Sequence, residues 1–123
     1  MVPERPVPVS IVEALLRLRV RRDGPDTTVS VHGEVDLLTA PRLLAVLTEQ
    51  LHAATLLVVD VSEVDFFGAA GLDTLVEIAH RAGQRDVSLR LVAGAHVCRL
   101  LRLTGLDETL RIHDAVIETA GRR

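Results

Sequence analysis

Leu56-Leu57-Val58-Val59-Asp60-Val61 is a continuous apolar run of strand length, and together with the residues after it this run decides the fold. Such a run fits a strand in the middle of a sheet, covered on both faces. Ser62 to Gly71 reads as a loop. Beyond it Leu72, Leu75, Val76 and Ala79 recur at helical spacing, and Gly83 ends the stripe. Strand, loop and helix in that order are the first half of a parallel crossover unit.

Upstream, Leu16, Leu18 and Val20 alternate with Arg17, Arg19 and Arg21, the period of a strand with one wet face. Asp23-Gly24-Pro25-Asp26 is turn chemistry, and Val29 and Val31 alternate with Ser30 and His32, so a hairpin is expected. From Thr39, with Pro41 in the first turn, Leu43, Leu44, Leu47 and Leu51 mark a helix.

Downstream, Val87, Leu89 and Leu91 form another alternating strand, and a helix is expected from Ala95 to Thr104, stopped by Gly105. Leu110 to Ile112 reads as a short strand, and Asp114 to Thr119 as a final helical turn or helix with Asp114 as N-cap. The whole is a single α/β domain with a mixed sheet of four to five strands and about four helices, one sheet face less covered than the other.

Composition narrows the function. The 123 residues, 48% hydrophobic, can close one core without disulfides or metal. The single cysteine, Cys98, has no partner in the chain, and His32, His52, His80, His96 and His113 never fall into metal-ligand spacing, so no metal and no cofactor are expected. Residues 1–12 read as a flexible tail and 13–120 as the domain. The proline- and valine-rich start has no secretory leader, and no apolar run reaches the length that spans a bilayer, so a cytoplasmic protein without membrane insertion is expected. The net charge of −3 and the absence of Trp and Tyr argue against nucleic-acid binding.

Catalytic chemistry is scarce. Glu34 with Asp36, and Glu63 with Asp65, are carboxylate pairs at i,i+2, more typical of solvated turns than of acid–base work. Gly68-Ala69-Ala70-Gly71 opens a helix with small residues, as a phosphate loop does, but lacks the Gly-Lys-Ser/Thr ending. Cys98 stands one position off the apolar stripe of its helix, at the flank of the buried face, where redox pairing with another molecule is conceivable beside Arg99 and Arg102. An enzyme is not expected.

Three motifs in order then become informative: Gly33-Glu34-Val35-Asp36, Val64-Asp65-Phe66-Phe67-Gly68-Ala69-Ala70-Gly71-Leu72, and Arg99-Leu100-Leu101-Arg102-Leu103-Thr104-Gly105-Leu106. From about Leu16 to Thr119 the chain resembles the STAS domain of anti-sigma factor antagonists. The resemblance implies binding to an anti-sigma factor with a serine-kinase fold, which phosphorylates the first serine of an Asp-Ser-Ser-Gly-Leu loop; the unphosphorylated domain binds that kinase and releases the sigma factor.

Matched residue by residue, Gly68 takes the place of the aspartate, Ala69 that of the phosphorylated serine and Ala70 that of the second serine. Phosphoserine adds about −1.5 to −2 charges, which an alanine methyl cannot carry. With the partner surface otherwise kept, the resemblance implies a constitutive antagonist; the alternative is a loop that has lost the interaction along with the serine, leaving a STAS fold used for some other contact.

Partner contacts are expected at Asp36, Gly68, Ala69, Ala70, Gly71 and, on the outward face of the following helix, Asp73 and Thr74. Thr74 is a conceivable alternative phosphoacceptor. Of the two aromatics, Phe66 and Phe67, at least one should anchor in the core, and an exposed one would be a binding hot spot. Other readings are a STAS interaction subunit of a stress-signalling scaffold or transporter, or a small-ligand or nucleotide sensor with a pocket near the Gly68 turn. Oligomeric state is not readable.

Overall fold

A computed structural model describes residues 9–120 of the chain. Helix α1 (Val9–Leu15) leads into strand β1 (Leu16–Asp23), which returns through a two-residue turn as β2 (Asp26–Val35). Gly24 has φ 62, the left-handed conformation that such a turn requires. Then come α2 (Ala40–Gln50), β3 (Leu56–Phe67), α3 (Ala69–Gln84), β4 (Ser88–Ala93), α4 (Ala95–Thr104), α5 (Leu106–Ile112) and β5 (Val116–Thr119).

The sheet runs in order β1-β2-β3-β4-β5, antiparallel between β1 and β2 and parallel thereafter. Because strand order rises steadily, right-handed crossovers carry α2 to α5 over the same face. Burial agrees: Val29, Val31 and Val35 on β2, Leu57, Val59 and Val61 on β3, and Leu89, Leu91 and Ala93 on β4 are buried, while the residues between them, apart from Gly33, are partly or fully exposed. Each buried valine or leucine contributes roughly 1.5–3 kcal/mol. β3 is thus central, as expected, but covered on one face; Leu56 and Val58 are half-exposed on the other. The continuous apolar run reflects position in the sheet rather than a second helical layer.

Three local expectations need correction. Ser62 to Phe67 extends β3 instead of forming a loop. Register shifts occur between Ser30 and His32 and between Gly33 and Glu34 on β2, where β3 contributes an extra residue each time, and these bulges erase the period-2 pattern. Near the C-terminus the helix and strand exchange places. Leu106–Ile112 is helical, with Asp107 and Glu108 in its first turn and Arg111 within 3.6 Å of Asp107 and 3.3 Å of Glu108. Val116–Thr119 pairs with β4, and Asp114, at φ 66, sits beyond the α5 C-terminus rather than at an N-cap. Finally, residues 9–12, expected in the tail, belong to α1, while residues 1–8 lie outside the described residues.

Gly33 fixes the start of the sheet. Its φ is 103, and a Cβ there would meet the Leu15 carbonyl oxygen at 2.2 Å, so the α1–β1 junction crosses β2 where no side chain fits.

Candidate functional site

The turns β2–α2 and β3–α3 meet at one end of the sheet. The Gly68 N–H donates to the Val35 carbonyl at 2.8 Å, tying the start of α3 to the end of β2. Gly71 is wedged in place: a Cβ on it would lie 2.8 Å from Val35 Cγ1 and 2.9 Å from two atoms of the Phe67 ring. Val35 and Phe67 are buried, as is Leu72. The Gly-Leu half of the motif therefore seats the N-terminus of α3 on the core.

The other half faces outward. Gly68 is the N-cap of α3 and offers no side-chain cap, and Ala69, the first helical residue, is exposed. Ala70 is partly buried. The Phe66 ring lies against Gly68, where a Cβ would be 3.1 Å from its Cε2 atom, yet Phe66 remains 52% exposed. Phe67, by contrast, is the core anchor.

Asp36 shapes the neighbouring turn. Its Oδ1 accepts hydrogen bonds from the backbone N–H groups of Leu38 and Thr39, both at 3.0 Å. The buried Thr39 hydroxyl donates to the Glu34 carbonyl at 2.7 Å and accepts from the Asp36 N–H at 3.0 Å. This is a local carboxylate turn closing onto the N-terminus of α2. It holds Leu37, 86% exposed, and Leu38 out at the same end of the sheet as Phe66. Sequence reading missed both leucines, although two apolar residues side by side in a turn were the available signal.

One expected contact, Thr74, and the expected redox thiol, Cys98, are buried instead. Asp73 is exposed, but Thr74 is 5% exposed and its hydroxyl donates to the Ala70 carbonyl at 2.9 Å, so it is no surface phosphoacceptor. Buried positions on α3 are Gly71, Leu72, Thr74, Leu75, Ile78, Ala79 and Ala82, which puts Thr74 on the stripe. α3 packs on α2 there, with Arg81 Nη1 donating to Thr48 Oγ1 at 2.9 Å. Cys98, expected at a reachable flank, is 7% exposed, its sulfur 3.7 Å from the Ala93 carbonyl and 3.6 Å from Thr119 Oγ1. β5, unforeseen at that place, closes over it.

Of the carboxylate pairs, Glu34, Glu63 and Asp65 are exposed, and Asp36 is engaged in its turn. A cleft of about 250 Å³ lined by Gly83, Asp86, Val87, Ser88, His113 and Asp114 lies at the opposite ends of the strands from Gly68. It does not supply the pocket near the turn that a ligand sensor would need.

Comparison with known proteins agrees with the fold. Residues 18–116 match the family model described as Mlab, STAS domain. The anti-sigma-F factor antagonist RsfB of Mycobacterium tuberculosis is 38% identical over 101 residues, spanning 77% of this chain and 82% of that protein. An anti-sigma factor antagonist from Mycobacterium paratuberculosis superposes with a TM-score of 0.70 at 32% identity, covering 76% of this chain and 81% of that one. The Bacillus cell fate determinant SpoIIAA in its phosphorylated form shares the fold, with a TM-score of 0.64 at 11% identity over 85% of this chain and 92% of its own. With its mixed sheet, its one-sided helical layer and the Gly71–Leu72 seat of α3, the chain belongs to the STAS domain family.

Proposed function

We propose that this chain is an anti-sigma factor antagonist that binds an anti-sigma factor of serine-kinase fold, releases a sigma factor, and is not switched by phosphorylation at the usual position. The observation that carries the reading is Ala69, exposed and first in α3, at the position that the resemblance assigns to the family's phosphorylated serine. Around it stand Phe66, Leu37 and Leu38, an exposed apolar set at one end of a sheet whose other exposed positions are largely polar. The names of the relatives support the same role.

On this reading the protein works by contact in the cytoplasm and carries out no reaction. The partner-facing residues are Asp36, Gly68, Ala69, Ala70, Gly71 and Asp73; Asp36 and Gly71 act by shaping the surface, and Thr74 lies behind it. No helix among the described residues is long and apolar enough to cross a membrane.

The test is a titration of a kinase-fold anti-sigma factor against wild type, Ala69→Glu and Ala69→Ser. Wild type should bind, and Ala69→Glu should bind at least about tenfold more weakly, because a charge is placed where the partner docks. Ala69→Ser should bind like wild type until ATP is added and then be phosphorylated and released. Equal affinity of wild type and Ala69→Glu would defeat the proposal.

A further inference from the structure

β1 is a terminal strand of the sheet, so one of its backbone edges has no partner strand among the described elements. Apart from Leu16 and Leu18 it is exposed along its length. Opposite Arg17, Arg19 and Arg21 on β2 stand His32, Ser30 and Thr28. Residues directly opposite share a face, so the three guanidinium groups line one face of the open edge, spaced roughly 7 Å apart along the strand. None of the three makes an ion pair among the described residues. This is a local basic row on a chain of net charge −3.

The other face of the same edge is apolar at Leu18, half-buried, and Val20, 40% exposed, and ends on Arg22, whose Nη2 donates to Gln50 Oε1 at 2.6 Å. An added strand would meet arginines on one side and aliphatic surface on the other. Charge on an edge strand also deters self-pairing, and a second copy of this chain fits poorly, since two β1 edges with matched faces set arginine against arginine.

We infer that β1 takes an extended segment of a partner protein as a sixth strand, in which acidic residues alternate with apolar ones. Carboxylates stand opposite Arg17, Arg19 and Arg21, and aliphatic side chains continue the surface of Leu18 and Val20. Backbone hydrogen bonds supply affinity and the alternation supplies register.

The test uses the full chain and a fluorescein-labelled ten-residue peptide of alternating glutamate and valine, with binding read by anisotropy. Saturable binding is expected. Arg19→Glu should weaken it about tenfold or more, since one attractive cross-strand pair becomes repulsive. Arg99→Glu, an exposed charge reversal on α4, should leave Kd within about twofold. A peptide of the same composition with all glutamates first and all valines last should bind about tenfold more weakly, separating strand pairing from bulk attraction. Absence of saturable binding, equal loss in Arg99→Glu, equal binding of the block peptide, or equal competition by double-stranded DNA would each overturn the inference.

Discussion

Gly71→Ala and Gly83→Ala make the same chemical change in the same helix, and the structure gives them opposite signs. At Gly71 the new methyl would sit 2.8 Å from Val35 Cγ1 and 2.9 Å from the Phe67 ring, against about 3.5–4.0 Å for an unstrained carbon contact. Neither neighbour can retreat, since Val35 is 0% and Phe67 2% exposed. Relieving the overlap means lifting the first turn of α3 or displacing the Phe67 ring, at a cost of about 1–3 kcal/mol. The gain from replacing glycine in a helix offsets roughly 0.5–1 kcal/mol of that. The net expectation is roughly 0–2.5 kcal/mol of destabilisation with a centre near 1.2, or a fall in Tm of about 5 °C at that centre for a chain of this size. At Gly83 nothing lies within 4 Å, so the helical gain stands alone and the variant should be stabilised by about 0.4–1 kcal/mol. Urea unfolding of both variants beside wild type measures the difference. A Gly71→Ala protein as stable as Gly83→Ala would refute the close seating of α3 on Val35 and Phe67, and with it the rigid presentation of Ala69.

Asp36→Ala removes an acceptor serving two backbone N–H groups and should cost about 1–2 kcal/mol by urea unfolding, whereas Asp36→Asn, which keeps an acceptor oxygen, should cost less than half as much. Loss of partner affinity in Asp36→Asn with unchanged stability would instead assign the carboxylate charge to the interface. Leu37→Ser and Phe66→Ala should each weaken binding of the kinase-fold partner about tenfold or more while changing folding stability by no more than about 0.5 kcal/mol for the leucine. Calorimetric titration paired with thermal unfolding checks both, and unchanged affinity in both variants would remove this end of the sheet as the docking surface.

The elements legible in the sequence are those whose pattern runs long enough to be heard over local noise. The hairpin turn carries Gly24 and Pro25 between alternating strands, and the helix from Ala95 to Thr104 ends on Gly105, which adopts φ 76. Misreadings cluster where an element is short or its period is broken. β3 continues through Ser62, Glu63 and Asp65 because two bulges against β2 change which face each residue takes, and Asp60 Oδ1 accepts from Ser62 N and Oγ at 2.9 and 2.6 Å within the strand. The seven residues of α5 and four of β5 are too few to show a period, so helix and strand are easily exchanged there. For Thr74 and Cys98 a helical stripe alone misleads, because it ignores neighbouring elements; packing against α2 buries one face of α3, and β5 covers the thiol. Within the candidate site, the motif marks Ala69 at the start of α3 and the pair Phe66-Phe67, but which of the two rings is exposed is not legible from it. Leu37 and Leu38 are not legible either, because their exposure depends on the Asp36 turn.

The family motif divides physically at position 70. The residues that pack, Gly71 and Leu72, fit the core closely, while on the proposed match the positions of the family's polar residues are held by Gly68, Ala69 and Ala70. Small residues at these positions cost the fold little. Gly68 still ends β3 through its hydrogen bond to Val35, and α3, at 16 residues with a buried stripe, does not depend on a side-chain cap for its stability. On the proposed reading, a scaffold that keeps its shape without the phosphoacceptor leaves partner occupancy to mass action alone. For simple binding, occupancy moves from about one-tenth to nine-tenths only over a roughly hundredfold range of concentration around Kd. Phosphorylation achieves a comparable change at fixed concentration by adding charge at the contact. On the proposed reading, then, the sigma factor responds to how much of this chain is present, and control passes from the modification of one residue to the supply of the protein itself.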